Sequence, residues 1–324
     1  MAELQPEYLS LKIPVEGRLR LLITFNQEKN VLRRDFIGLA IMAQNVTSLL
    51  ASWQSSSLSL ESVMQRSNSQ YADVNGLQLY YEIHGEGAPI VLLHGGVSAS
   101  EVFSQVLLKL TKTRTVLAVH LQGHGHTKDI DRPLRFEFMA DDVAALLGYL
   151  KIPKADLLGY SLGGGVALQT TIRHPAIVNR LVVISAAMKH DGSFPEVNAA
   201  FDRMDAHASQ IAANIERSTL GQMYPAVNWE SLLRKIAEME SQNFDWSEAI
   251  EQIKSPTMLL FADADSVRPE HIVEFYKTLG GGQRDAGLDG SLRSQARLGI
   301  VPNTTHYNIL SSTIVSDMIS GFVA

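Results

Sequence analysis

Ser161 stands in the run Gly159-Tyr160-Ser161-Leu162-Gly163, with an apolar segment ahead of it and Gly164-Gly165-Val166-Ala167-Leu168 behind it. A serine so placed can sit on a sharp turn from strand to helix with its hydroxyl exposed, the position of a nucleophile. The backbone of such a turn is strained, and a side chain two residues before or after the serine would collide across the bend, which accounts for Gly159 and Gly163. A second group of chemically able residues is His120, His124 and His126, interleaved with Gln122, Gly123 and Gly125. Imidazoles bind zinc readily, but a hydrolytic zinc centre needs a fuller ligand set. Asp129 comes too late for an H-x-H-x-D-H spacing, so no metal is assigned.

The elements that must position Ser161 follow from the hydrophobic pattern. Residues 71–74 and 77–83, joined at Asn75-Gly76, read as a hairpin, because Asn-Gly accepts the positive φ angles of a tight two-residue turn. Residues 88–93 form a continuous apolar run ending at His94-Gly95-Gly96, as in a strand buried on both faces. A helix at 100–110, a strand at 115–119 and an amphipathic helix at 136–150 lead to a strand at 155–158, which runs into Ser161. A helix at 161–174 and a strand at 180–185 complete this half. The β-α-β-α order predicts a mainly parallel sheet covered by helices on both faces, with ligands at the carboxyl ends of the strands.

The alternation stops between residues 188 and 254, where the periodicity is helical in segments at 197–207, 209–220 and 229–241, and then resumes. Residues 256–261 read as a strand, 269–279 as a helix, 297–301 as a strand and 308–323 as a closing helix, while the Gly-rich stretch at 280–290 reads as a surface loop. A helical insertion at about 188–254 between two strands of one sheet is expected to lie over their carboxyl ends as a lid. Its methionines and aromatics, Met188, Met204, Met223, Met239, Phe194, Phe201, Tyr224, Trp229, Phe244 and Trp246, suit an adaptable apolar pocket and equally an ordinary helical core.

With these motifs in place, residues 71–324 resemble the α/β-hydrolase fold family, of serine hydrolase or esterase type. That resemblance implies a central, mainly parallel sheet flanked by helices and a triad in the order serine, acid, histidine. The nucleophile is Ser161. After the strand that follows the insertion, Phe261-Ala262-Asp263-Ala264-Asp265-Ser266-Val267-Arg268-Pro269 resembles the loop that delivers the acid. Val301-Pro302-Asn303-Thr304-Thr305-His306 resembles the loop that carries the histidine. His306 is then the base and Asp265 its orienting carboxylate, with Asp263 as the competitor. The oxyanion donors are the backbone N–H groups of Leu162 and Gly96, with Val97 as the near alternative and His94 holding the loop by hydrogen bonds. The loop from His120 to Gly125 departs from the family's Asp-x-Arg-Gly-x-Gly, with His120 and Gln122 in place of the Asp and Arg.

The resemblance implies an ester of a small or medium apolar acyl compound as substrate, with no cofactor. Carbon–carbon hydrolases, lactonases and perhydrolases share the triad, and a slow-turnover ligand sensor is the alternative of a different class. Haloalkane dehalogenases and epoxide hydrolases are disfavoured because they use an aspartate where Ser161 stands. Proline iminopeptidases carry Gly-Gly-Ser-Trp-Gly at the elbow, unlike Gly-Tyr-Ser-Leu-Gly here.

Residues 1–70 form an extension of different character. Arg33-Arg34, with Phe36 close behind and a weakly apolar run at 38–53, resembles a twin-arginine export signal. The run is interrupted by Gln44 and Asn45, and the alternative is an extra helix at 36–53 followed by a Ser-rich polar linker, which favours a cytoplasmic chain. The 324 residues carry 45% hydrophobic and 19% charged side chains, enough for one large core. A formal net charge of -6 without clustered Lys and Arg argues against a nucleic-acid partner, no apolar run is long enough for a membrane span, and the absence of cysteine removes disulfides, thiolate metal sites and a cysteine nucleophile.

Overall fold

The computed structural model describes residues 68–324, together with two short strands, Leu9–Ser10 and Thr24–Phe25, which pair antiparallel within a separate unit, Met1–Gln44. The paired arginines, the helix at 36–53 and most of the Ser-rich linker lie outside the described residues.

Eight strands form one sheet: β1 (Asn68–Val74), β2 (Leu77–His84), β3 (Ala88–Leu93), β4 (Arg114–Val119), β5 (Ala155–Tyr160), β6 (Val178–Ile184), β7 (Thr257–Ala264) and β8 (Ala296–Thr305). Their order is β8-β7-β6-β5-β3-β4-β2-β1. Every pairing is parallel except those of β2, which is antiparallel to β1 and to β4. The β1–β2 hairpin turns at Asn75 and Gly76, with φ of 48° and 81°, the left-handed pair that Asn-Gly accepts. β1 begins at Asn68, inside the stretch read as linker, because its first residues complete the ladder with Tyr81, Glu82 and Ile83.

Between strands run α1 (Ser104–Leu110), preceded by a 3₁₀ turn Ser100–Phe103, then α2 (Phe136–Tyr149) and α3 (Leu162–Arg173). The insertion between β6 and β7 contributes α4 (Pro195–Glu216), α5 (Thr219–Met223), α6 (Trp229–Glu240) and α7 (Ser247–Ile250), and the chain continues through α8 (Pro269–Thr278) and α9 (Thr313–Val323). None of the described helices is long and apolar enough to cross a membrane. β3 shows why the central strands read as unbroken apolar runs: Ile90 and Leu92 pack with Val106 and Leu110 of α1 and Val315 and Ile319 of α9, while Val91 and Leu93, pointing the other way, are equally buried.

Two other boundaries also differ from the sequence expectation. α4 is one helix across residue 208, where two were expected. Met204, Ala208, Ala212 and Ile215 form a single buried stripe at helical spacing, and no Gly or Pro interrupts it. β8 extends to Thr305, past Pro302 and a shift of register after Val301, because Asp263 accepts the N–H groups of Asn303 (2.9 Å) and Thr304 (3.0 Å) and ties the irregular stretch to β7. His306 therefore enters directly from the end of a strand.

Candidate active site

β5 delivers Ser161 at its carboxyl end, and α3 begins at the next residue. Ser161 has φ 53° and ψ -122°, a conformation that L-residues avoid and that the surrounding structure must hold in place. A Cβ on Gly159 would lie 2.1 Å from the carbonyl oxygen of Gly163, so this glycine is required across the bend, as the sequence suggested. Gly163 is required for a different reason. Its Cβ would lie 2.1 Å from the carbonyl oxygen of Leu93 and 2.5 Å from that of His94, so the constraint comes from the neighbouring strand β3.

The three residues expected from separate loops converge. Ser161 Oγ lies 3.0 Å from His306 Nε2, and His306 Nδ1 lies 3.1 Å from Asp265 Oδ1. Asp263, the competing acid, is exposed and serves β8. Asp265 is fastened on both oxygens: Oδ2 accepts the Ser185 hydroxyl (2.6 Å) and the Ala262 N–H (2.9 Å), and Oδ1 accepts the Ser266 N–H (2.8 Å). Burial alone would raise its pKa, but the His306 ring and these donors outweigh that, and the carboxyl lies below its ordinary value. The carboxylate therefore holds the proton of His306 on Nδ1 and leaves Nε2 free to accept from Ser161.

Beside the serine, the loop after β3 carries Gly96. Among the described residues, none of the N–H groups of Gly96, Val97 and Leu162, the first residue of α3, donates to a backbone carbonyl. A free pair of amides beside a hydroxyl nucleophile can stabilise a negative oxygen. Val97 has φ 52°, a strained value for a β-branched residue. His94 is wholly buried and spends both ring nitrogens on the loops, Nδ1 donating to Gly95 O (2.8 Å) and Nε2 accepting from the Leu121 N–H (3.1 Å). Burial, with His124 and His120 nearby, holds its pKa well below the ordinary histidine value, so it stays neutral in this role.

His120 and His124, after β4, are likewise tied into the loops. His120 Nε2 is 2.9 Å from Ser100 Oγ, and its Nδ1 accepts the His126 N–H at 2.9 Å, while His124 Nδ1 donates to Gln122 O at 2.9 Å. Burial pushes His120 down to about 3 and His124 to about 4. Gln122 is supplemented by an arginine from further along the chain. Arg132 donates to Gln122 Oε1 (2.8 and 2.6 Å) and to Asp142 in the middle of α2 (2.6 and 3.2 Å), so the guanidinium reaches this loop from a position ten residues later.

Several supporting residues were not found from the sequence. Ser185 follows β6 and reaches Asp265 only because β6 and β7 are neighbours. Ser266 Oγ lies 2.8 Å from His306 Nδ1, so the ring N–H is shared between this hydroxyl and the carboxylate; its adjacency to Asp265 was the available signal. Tyr160 donates its hydroxyl to the carbonyl of His306 (2.7 Å), tying the serine turn to the histidine loop.

Comparison with known proteins gives the same picture of the fold. Residues 88–210 match the family model described as alpha/beta hydrolase fold. The chain is 35% identical over 116 residues to 2-hydroxymuconate semialdehyde hydrolase of Pseudomonas sp., covering 35% of this chain and 41% of that one. It is 27% identical to pimeloyl-[acyl-carrier protein] methyl ester esterase of Neisseria meningitidis, covering 57% and 78%. The enol-lactonase from Burkholderia xenovorans superposes with a TM-score of 0.61 at 23% identity, covering 78% of this chain and 99% of that structure. The curated relatives matched at 34–37% identity are spanned over only 38–41% of their own length.

Proposed function

We propose that this chain, which belongs to the α/β-hydrolase fold family, is a serine hydrolase of carboxylesterase type that cleaves esters of small or medium apolar acyl compounds. The observation that carries this reading is the continuous contact from Ser161 Oγ through His306 Nε2 and Nδ1 to Asp265 Oδ1, at 3.0 and 3.1 Å, set beside the free amides of Gly96 and Leu162. Ser161 attacks the ester carbonyl while its proton passes to His306 Nε2, and the carbonyl oxygen becomes an anion received by the two amides. The imidazolium gives its proton to the departing alcohol, leaving an acyl group on Ser161. Water then repeats the sequence with His306 as base, releasing the acid and restoring the serine. Asp265 stays ionised throughout.

The helices of 188–254 act in this reading as a lid. Leu162 and Ile236 of α6 both approach Gly96, where a methyl would lie 3.5 and 3.6 Å from their Cδ1 atoms, which suits an apolar acyl chain beside the serine.

Labelling by a neutral fluorophosphonate tests the mechanism. The native chain takes up one phosphonyl group and hydrolyses p-nitrophenyl butyrate, and Ser161→Ala loses both. Failure of the native chain to label would overturn the acyl-enzyme. A second reading, hydrolysis of a carbon–carbon bond or a lactone by the same residues, is favoured by the likeness to a semialdehyde hydrolase and an enol-lactonase. Turnover of vinylogous diketones or enol-lactones well above that of simple esters would select it.

A further inference from the structure

α6 crosses the carboxyl ends of the strands in a definite order. Leu232 Cδ1 would meet a methyl on Gly123, after β4, at 3.3 Å, and Ile236 Cδ1 would meet one on Gly96, after β3, at 3.6 Å. Leu232, Ile236 and Glu240 are spaced four residues apart and share one face, advancing about 6 Å per step, close to the spacing of about 4.8 Å between neighbouring strands. Just beyond the helix, Phe244 accepts the His190 N–H (2.9 Å) and Trp246 donates to Met188 O (3.0 Å), both in the segment that follows β6. The sheet order is β4-β3-β5-β6, so the position between Ile236 over β3 and Phe244 beside the β6 exit falls at the end of β5, where Ser161 stands.

Glu240, the last residue of α6, is half-buried with no hydrogen-bond or ion partner among the described residues, and the four-residue spacing from Ile236 directs it toward that position. The cations of α6 and Arg135, which pairs with α6, are committed elsewhere: Arg234 to Glu230 and Asp205, Lys235 to Asp129, and Arg135 to Glu238. The surrounding protein pushes the Glu240 carboxyl up to about 7, with burial as the sole cause. A carboxylate held in such surroundings without a cation is costly, and a bound cation removes that cost.

We infer that Glu240 is a specificity residue at the mouth of the site, selecting esters that carry a protonated or quaternary amine. This rests on the serine-hydrolase reading and narrows its substrate class. The amine belongs either to the acyl part or to the alcohol part of the ester, and two matched pairs distinguish these: p-nitrophenyl 6-aminohexanoate against p-nitrophenyl heptanoate, and acetylcholine against 3,3-dimethylbutyl acetate.

In one of the two pairs the cationic ester has the higher kcat/KM, and Glu240→Gln lowers that cationic-to-neutral ratio about tenfold or more, the scale of a close charge pair at a partly buried site. Glu240→Lys lowers the ratio further. Labelling of each variant by the neutral fluorophosphonate shows that its site is folded. Labelling with no cationic preference in either pair, or with a ratio unmoved by both substitutions, overturns this inference and leaves the serine mechanism standing. Absence of labelling in the native chain overturns both.

Discussion

Replacing Asp265 with asparagine tests the triad at its most fully bonded member. Both carboxylate oxygens face donors only: Oδ1 faces the Ser266 N–H (2.8 Å) and His306 Nδ1 (3.1 Å), and Oδ2 faces the Ala262 N–H (2.9 Å) and the Ser185 hydroxyl (2.6 Å). An asparagine NH₂ therefore meets a backbone N–H in either orientation. Turned toward His306, it makes Nδ1 an acceptor, moves the ring proton to Nε2 and blocks acceptance of the Ser161 proton. Turned toward Ala262, it keeps the tautomer but no longer stabilises the imidazolium. Asp265→Asn is expected to lower kcat by roughly 10³–10⁴-fold, as for loss of the orienting carboxylate in a Ser-His-Asp triad, with little change in KM. The misplaced amide costs about 1–3 kcal/mol of stability through an unsatisfied buried N–H. Initial rates with p-nitrophenyl butyrate and urea unfolding measure the two effects. Asp263→Asn is the control: its carboxylate is exposed and serves β8, and its kcat stays within about tenfold of native. Retention of more than about a tenth of kcat by Asp265→Asn, or an equal loss in Asp263→Asn, would refute the assignment.

Arg132→Ala removes the guanidinium from the nearly buried Asp142 and leaves Asn75 as the remaining partner of that carboxylate; a loss of about 3 kcal/mol is expected by denaturant unfolding, with Arg132→Lys recovering only part because it lacks the planar fork. Glu101 is 7% exposed, and burial first, with Glu82 nearby, pushes its carboxyl up to about 7 from 4.5. Between those values the folded chain keeps a proton that the unfolded chain has released, so stability falls as pH rises across that window, by roughly 3 kcal/mol in all. Glu101→Gln removes this dependence. Compared by urea midpoints at pH 4.5 and pH 8, it gains on the native chain at the higher pH, and an equal difference at both would count against the burial argument.

Much of the site was legible because its constraints are local. Gly159 guards a bend four residues wide, and Asn75-Gly76 specifies its own turn. The buried strands declare themselves because both faces need apolar residues. Other parts were illegible for the opposite reason. Gly163 is constrained by carbonyls of β3, a strand about seventy residues earlier in the chain, and no local pattern contains that clash. His120 and Gln122 depart from the family's pattern in the loop after β4, and no local pattern there announces Arg132, which bonds Gln122 and Asp142 from ten residues later.

The amino-acid sequence by itself determined the order of the strands and of the helices outside the insertion, the serine turn and the two loops that carry an acid and a histidine, since each depends on neighbours within a few residues. Tertiary structure decided which aspartate serves the histidine and which one holds β8. It also brought in Ser185 and Ser266, and set the path of α6 past Gly123 and Gly96. Those outcomes depend on which strands lie side by side and on the path α6 takes across their ends, and a hydrogen bond or a buried charge is settled by what stands within a few ångströms in space.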